Sequence, residues 1–532
     1  MNYKIIVRST CIIINDYIFG SCPKLEANFK LYNMVTHSFY FLGLYYDEEN
    51  SKLYLPRGID LWFVQKCLNA YDDDIYFESP DEYEYVKDIG MKYGPRDDVQ
   101  KECLQFMLGL DKYEDNKSYS QLSVNLNTGK GKTFVSIYTM AYTKIKSIVI
   151  TSINSWLDQW AERTLEYTNL TKKDICKISG ASAINMLLYG KSKQLNASLF
   201  LINHSTIKSY GDTYGWDKIR LLFQKLKIGN MFIDEAHLNF ENICRICFAT
   251  NVYKTYFITA TPARSDEYEN NIYQLAMKNV PSIDLFDEEE DKRTNYVAIK
   301  WNSRPNPQQI SDCKNQYGLD RNKYTNYVVD KQNFEYMMYI IMDLVLKCDG
   351  KVLMYIGTNE AILKVYKWIS EHYPELLGEV GIYTSIATDK EIEKNKKLIL
   401  STTKSAGAAM DVKGLKLTIV LAEPFKSEVI ARQTLGRTRD NNTMYIELVD
   451  LGFYKIKQYY YAKLPVFNTY ALSTSDMEFN QIQLESKVEE LQPKREEIMR
   501  KSTLKVFDPR FDIGNNALKF DIPTKRNAIN FY

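Results

Sequence analysis

Residues 121–143 read QLSVNLNTGKGKTFVSIYTMAYT, and this stretch decides the fold. An apolar strand-like run (QLSVNL) passes through a glycine-containing turn into an apolar helical stretch. Strand, loop and helix in that order form the repeating unit of an α/β sheet. The loop also carries chemistry. Glycines let backbone N–H groups approach phosphate oxygens, and a helix N-terminus adds a positive field. The segment ends in Gly131-Lys132-Thr133. Lys132 is suited to neutralise β- and γ-phosphates, and the Thr133 hydroxyl to ligate magnesium. The full GxxxxGK[ST] pattern lacks its first glycine, because Leu126 stands there. Thr128, Gly129, Lys130, Gly131, Lys132 and Thr133 are therefore the candidate nucleotide-binding residues.

The same alternation continues downstream. SIVITS precedes SWLDQWAERTLEY, and SLFLIN, NMFIDEA and KTYFITAT follow. Nearly continuous apolar strands ending in polar turns indicate a parallel sheet buried on both faces. The pattern fades over 285–325, a polar stretch with Pro305 and Pro307, then resumes with KVLMYIG, KLILST, LTIVLAE and TMYIELVD. Two α/β sheets in tandem, joined near 285–325, account for this economically. Upstream, CIIIN and FYFLGLYYD are strand-like and DLWFVQKCLNAY is helical, so a small α+β domain is expected over 1–90. It ends in an acidic run, 71–90, with eight acidic residues against one lysine, a net of −7. A solvated connector is the expectation for such a run. The remaining boundaries are expected at 91–290, 291–465 and a C-terminal extension, 466–532. Residues 491–532 carry a net charge of +4.

NMFIDEAHLNF places Asp234, Glu235, Ala236 and His237 at the end of an apolar strand. In α/β sheets, ligands bind at the carboxyl ends of strands. Two adjacent acids there can divide the labour. Asp234 would hold magnesium through water, and Glu235 would orient or deprotonate the attacking water. YFITATPAR then ends a further strand with Thr259 and Thr261, hydroxyls able to link a hydrolysis site to a neighbouring domain. Near residue 430, IARQTLGRTRD brings Gln433, Arg437 and Arg439. An arginine supplied across a cleft stabilises charge developing on a γ-phosphate.

Composition limits the partners. The chain has 532 residues, with 68 Lys+Arg against 67 Asp+Glu, which excludes a uniformly basic coat for nucleic acid. Contact with nucleic acid would have to come from local patches. The nine cysteines are too scattered for a disulfide framework, and Cys244-x-x-Cys247 lacks the further ligands a zinc site needs. Both observations point to a reducing, cytoplasmic setting. Every apolar run is broken by charge before it is long enough to span a membrane.

Taken in order and at these separations, the motifs resemble those of superfamily 2 DNA/RNA helicases of the DEAH-box type. NTGKGKT is similar to their motif I, IDEAH to motif II, TATP to motif III and QTLGR to motif VI. VITSINSWLDQW resembles motif Ia, LINHSTI the segment before motif II, and KVLMYIGTNEAILKVYKWI and LILSTTKSAGAAMDVKGLKLTIV motifs IV and V. Within that superfamily, the compact motors and the N-terminal LYLPRGIDLWFVQKCLN resemble UvsW-like phage branch-migrating helicases. The resemblance covers roughly 95–460. It implies two tandem RecA-like domains with ATP and Mg2+ held between them. Lys132, Asp234, Glu235, Gln433, Arg437 and Arg439 would be catalytic, and Gln100 would contact the nucleotide base. His237, Thr259 and Thr261 would couple the site to movement, and Ser152, Ser155, Thr206 and Thr402 would grip nucleic acid.

The implied partners are branched or forked DNA or an RNA–DNA hybrid, together with single-strand-binding or recombination proteins. The implied setting is phage-type replication, recombination or repair. Two departures bear on this. Asp440 stands where the family has its second motif VI arginine, so either Arg439 takes the finger role or Arg437 carries it alone. Ala409 replaces the usual motif V glycine. A duplex translocase that does not separate strands, and a degenerate non-catalytic binding module, are the rival readings.

Overall fold

The computed structural model describes residues 3–502 apart from 34–36, 87–88, 127–128, 153, 191–192, 237–238, 260–266, 286–291, 317, 385–394, 404, 406–411 and 438–440. The N-terminal strands are β1 (Lys4–Val7), β2 (Cys11–Asn15), β3 (Lys30–Asn33), β4 (Ser38–Phe41), β5 (Tyr45–Asp47), β6 (Lys52–Pro56) and β7 (Ile75–Phe77). Five of them form a sheet in the order β5-β6-β2-β1-β7, and β3 and β4 pair as a separate hairpin. The sheet is antiparallel except where β7 runs parallel to β1. Helix Leu61–Leu68 starts where the Asp60 carboxylate accepts the Trp62 N–H at 3.0 Å, and ends at Asn69 in the left-handed region.

This sheet shares its hydrophobic core with the next domain. Ile12, Leu53 and Leu55 pack in one cluster with Phe240, Cys244 and Phe248 of helix Phe240–Ala249 and with Ile272, Tyr273 and Ala276 of helix Glu267–Met277. Each large side chain buried in this way contributes roughly 1.5–3 kcal/mol. Hydrogen bonds reinforce the contact: Ser9 donates its N–H and hydroxyl to Asn251 Oδ1 at 3.1 and 2.8 Å, and Gln121 Nε2 donates to the Thr10 carbonyl at 3.2 Å.

The acidic run 71–90 stays largely exposed, as expected of a solvated connector, but four of its acids are held by ion pairs. Glu78 accepts from Arg8 at 2.9 Å and Arg220 at 2.7 Å, and Asp81 accepts from Arg220 at 2.9 Å. Glu82 and Glu84 pair with Lys227 and Lys146, both at 3.0 Å. Burial alone would raise the Glu78 carboxyl, but the two guanidinium groups hold it below its ordinary range. A charge count over a window cannot register partners some 140 residues away, such as Arg220 for Glu78.

The first large sheet contains β8 (Gln121–Asn125), β9 (Ser147–Thr151), β10 (Ile175–Ile178), β11 (Leu199–Asn203), β12 (Asn230–Asp234), β13 (Lys254–Thr259) and β14 (Ser282–Asp284). Its order is β10-β11-β9-β12-β13-β8-β14, and every pairing is parallel. Strands β9, β11 and β13 are buried along their whole length, which explains the apolar runs at their centres.

The second large sheet contains β15 (Thr294–Trp301), β18 (Lys351–Ile356), β19 (Val380–Tyr383), β20 (Leu398–Ser401), β21 (Leu415–Ala422), β22 (Thr443–Asp450) and β23 (Ser473–Glu478). Between β15 and β18 the short strands β16 (Lys314–Asn315) and β17 (Gly318–Leu319) pair with each other. The order is β19-β20-β18-β21-β22-β15-β23, again all parallel. Strand β15 lies inside the stretch read as a polar join. It escapes the continuous-apolar pattern because its burial alternates beside β23, an edge strand exposed throughout. Helix Gln481–Ser502 closes the described chain, burying Leu484 in the second core. Among the described residues, no helix is long and apolar enough to cross a membrane.

Candidate nucleotide site

The strand order of the first sheet sets β12, β13 and β8 side by side, so their carboxyl ends share one edge. That edge receives the loop before helix Lys132–Thr143, the Asp234-Glu235 pair and Thr259. Backbone bonds tie the three together: Leu126 N–H donates to the Thr259 carbonyl and Ala236 N–H to the Ile258 carbonyl, both at 3.0 Å. Gly129 and Gly131 have φ of +83° and +97°, values open to glycine and costly for other residues. A Cβ at Gly131 would fall 2.3 Å from Gln100 Nε2, so the loop also needs glycine for space.

Gln100 is buried behind this loop. Its Nε2 donates to the Lys130 carbonyl at 2.9 Å, and its Oε1 accepts the Arg96 N–H at 3.0 Å. Arg96 donates to the Gly129 carbonyl at 3.0 Å. Expected to contact a nucleotide base, Gln100 spends its amide here on holding the loop. Gly131→Ala should therefore weaken binding of a fluorescent ATP analogue by about tenfold, or about 1.4 kcal/mol.

Lys132 Nζ sits 2.9 Å from Glu235 Oε1, with both side chains largely buried. Glu235 itself adopts a φ of +51°, in the left-handed region that is uncommon for a non-glycine residue. Burial, with the neighbouring Glu235 charge, pushes the Asp234 carboxyl up to about 6, against the pull of Lys132 and the Trp160 indole. Trp160 Nε1 donates to Asp234 Oδ2 at 2.8 Å from helix Asn154–Tyr167. A hydroxyl at the helix N-terminus (Thr133) and a carboxylate at the adjoining strand end (Asp234) are hard oxygen donors of the kind magnesium prefers. The open glycine cradle is of the kind that accepts a phosphate chain. The residues present thus fit both groups.

The remaining candidates lie nearby or on the second sheet. Ser152 follows β9 and is half-buried, as is Thr206 on helix His204–Tyr214. Thr402 follows β20, buried, and its hydroxyl bonds to Ser405 Oγ at 3.0 Å. Arg437 follows helix Glu428–Leu435 and is half-buried; burial pushes the Tyr355 hydroxyl up to about 12, with the Arg437 charge acting against it. Thr128, His237, Thr261 and Arg439 lie outside the described residues, as do the side chains of Ser155 and Gln433.

Three further features were not anticipated. One is the Trp160 bond to Asp234. A second is His204, kept neutral by burial, whose ring nitrogens meet Asn239 and Asn242 at 3.1 and 3.2 Å and so join the segment before motif II to the one after it. The third is the buried Glu423 carboxylate, which accepts the Thr403 N–H at 2.9 Å and pairs with Arg321. None of these has a local sequence signature, because each joins segments remote in the chain.

Residues 94–264 match the family model described as "Type III restriction enzyme, res subunit". The chain is 23% identical over 355 residues to "Transcript termination protein A18" of Yaba-like disease virus, covering 63% of this chain and 67% of that protein. It is 27% identical over 147 residues to "Putative DNA 3'-5' helicase Rad25" of Haloarcula marismortui, covering 28% of this chain and 21% of the relative. Among solved structures, T4 UvsW is similar at 13% identity and a TM-score of 0.35, over 90% of this chain and all of that one. S. cerevisiae Dbp5 bound to RNA and ADP BeF3 is similar at 16% identity and a TM-score of 0.47, over 74% of this chain and 93% of that one.

Proposed function

We propose that this chain is a superfamily 2 helicase, an ATP-dependent enzyme acting on nucleic acid, and that it remodels branched DNA or RNA–DNA hybrids of the kind met in phage-type replication, recombination or repair. The observation that carries the site assignment is the Lys132–Glu235 pair at 2.9 Å, on the edge where the glycine loop and Asp234 converge. In this reading Lys132 moves from Glu235 to the β- and γ-phosphates, which frees Glu235 to orient the attacking water. Thr133 and Asp234 hold magnesium, which when bound neutralises charge on the phosphate oxygens. Arg437, or Arg439, stabilises the charge that builds on the γ-phosphate, with Gln433 beside it. His237, Thr259 and Thr261 pass the state of the site to the neighbouring domain.

Residues 91–290 and 291–465 act as the two motors, the second extended past the expected boundary by β23 and helix Gln481–Ser502, which belong to its sheet and core, with 1–90 as an accessory part. Ser152, Ser155, Thr206 and Thr402 would face the strand, since hydroxyls and backbone amides can grip phosphates without reading sequence. Single-strand-binding or recombination proteins are the expected protein partners.

A second reading is a duplex translocase of the transcript-release type. It is favoured by the likeness of 63% of the chain to a protein named for transcript termination. ATP hydrolysis titrated with forked and plain duplex DNA separates the two. Branch remodelling predicts saturation by forks at a concentration at least about tenfold lower than for plain duplex. Equal saturation, with efficient triplex displacement, would favour translocation without unwinding.

A further inference from the structure

We propose that this site selects its substrate by the triphosphate and not by the base, so that ATP, GTP, CTP and UTP are hydrolysed with similar efficiency. This rests on the reading of the glycine loop, Lys132 and Asp234 as a nucleotide site, and it names the substrate class of that site. Gln100 is the side chain that the family resemblance assigns to the base, and the structure gives it another task. Helix Asp98–Leu108 starts where the Asp97 carboxylate accepts the Gln100 N–H at 2.8 Å. Cys103, Leu104, Phe106 and Met107 of that helix share one core with Val135 and Met140 of helix Lys132–Thr143. The first turn of one helix is thereby fixed against the loop that opens the other.

The Gln100 side chain is packed into that contact. The residue is 2% exposed. Its Nε2 donates to the Lys130 carbonyl at 2.9 Å, and its Oε1 accepts the Arg96 N–H at 3.0 Å. A Cβ at Gly131 would stand 2.3 Å from that Nε2, so the glycine is what lets the amide come so close to the loop. An amide reads adenine by presenting one acceptor and one donor to the edge of the base. Bonded at both ends to the backbone and closed off from solvent, this amide is not presented to any base. The group exposed beside the loop is Arg96, whose side chain is 56% accessible. Its guanidinium donates to the Gly129 carbonyl at 3.0 Å and to the Asp97 carboxylate at 2.9 Å. A guanidinium plane held in this way offers a face for stacking, and every base has a face to stack. Reading a base edge through a dedicated hydrogen bond can reject the wrong base by about 10,000-fold, whereas stacking is tolerant of base identity. The glycine loop and Lys132 meet only the phosphate chain, which all four nucleotides share.

The test compares kcat/KM for the four nucleotides in the full chain, with and without single-stranded DNA, and uses inorganic tripolyphosphate as a competitor. The four values should lie within about tenfold of one another, and tripolyphosphate should inhibit competitively with a Ki within about tenfold of the KM for ATP. Gln100→Ala should lower kcat/KM for all four nucleotides alike, because the loop loses its brace, and leave their ratios unchanged. A merely structural brace and a base reader differ in that ratio. A preference for ATP above about tenfold would overturn the proposal, as would Gln100→Ala lowering hydrolysis of ATP alone or a failure of tripolyphosphate to compete. Hydrolysis of none of the four would instead remove the nucleotide-site reading beneath it.

Discussion

Lys132→Ala is expected to lower nucleic-acid-stimulated ATP hydrolysis by at least about a hundredfold, while the protein stays folded. Two effects add. The first is loss of the lysine proposed to neutralise the β- and γ-phosphates, at the start of helix Lys132–Thr143. The second concerns the acids. Glu235 loses the cation 2.9 Å from it, and Asp234 loses a charge that holds its carboxyl down against burial. Two adjacent carboxylates that lose this counter-charge favour protonation of one of them, so cation binding weakens along with phosphate binding. The largely buried Glu235 loses its partner, so some loss of stability accompanies the loss of activity, limited where one of the acids takes up a proton. Steady-state hydrolysis, with circular dichroism as the fold control, checks both halves of this expectation.

Arg437→Ala should reduce turnover by about a thousandfold with affinity for ATP nearly unchanged, because a finger arginine acts on charge that appears only in the transition state. Arg437 is half-buried, and its charge is felt by the Tyr355 hydroxyl. Arg439→Ala made in parallel resolves the departure at Asp440. If Arg437 carries the role alone, Arg439→Ala should retain most of the turnover. A split between kcat and KM is the informative quantity, since a merely loosened loop would raise KM as well.

How much of this could be read beforehand follows from the range of each interaction. The phosphate loop and the Asp234-Glu235 pair are legible because their chemistry needs consecutive residues at the end of an apolar strand. The parallel sheets are legible because strands such as β9 and β11 are buried along their whole length and so are largely apolar. β15 was missed for the converse reason: it lies next to an exposed edge and alternates. The ion pairs of the acidic run 71–90 were not legible because Arg8, Arg220, Lys227 and Lys146, which hold four of its acids, belong to other segments. The Trp160–Asp234 bond was hidden in the same way. WLDQW reads as an amphipathic core helix, and only the strand order shows that its indole meets a carboxylate on β12. The shared core between the N-terminal sheet and helix Phe240–Ala249 is equally non-local.

The central claim is that the edge formed by β8, β12 and β13 is the catalytic site of an ATP-driven nucleic-acid motor. The most direct test is ATP hydrolysis by the intact chain, measured without nucleic acid and with single-stranded, duplex, forked and RNA–DNA hybrid substrates. The account predicts a low basal rate that at least one of these raises about tenfold or more, in a Mg2+-dependent and saturable way. Hydrolysis that stays at background with every substrate would contradict it.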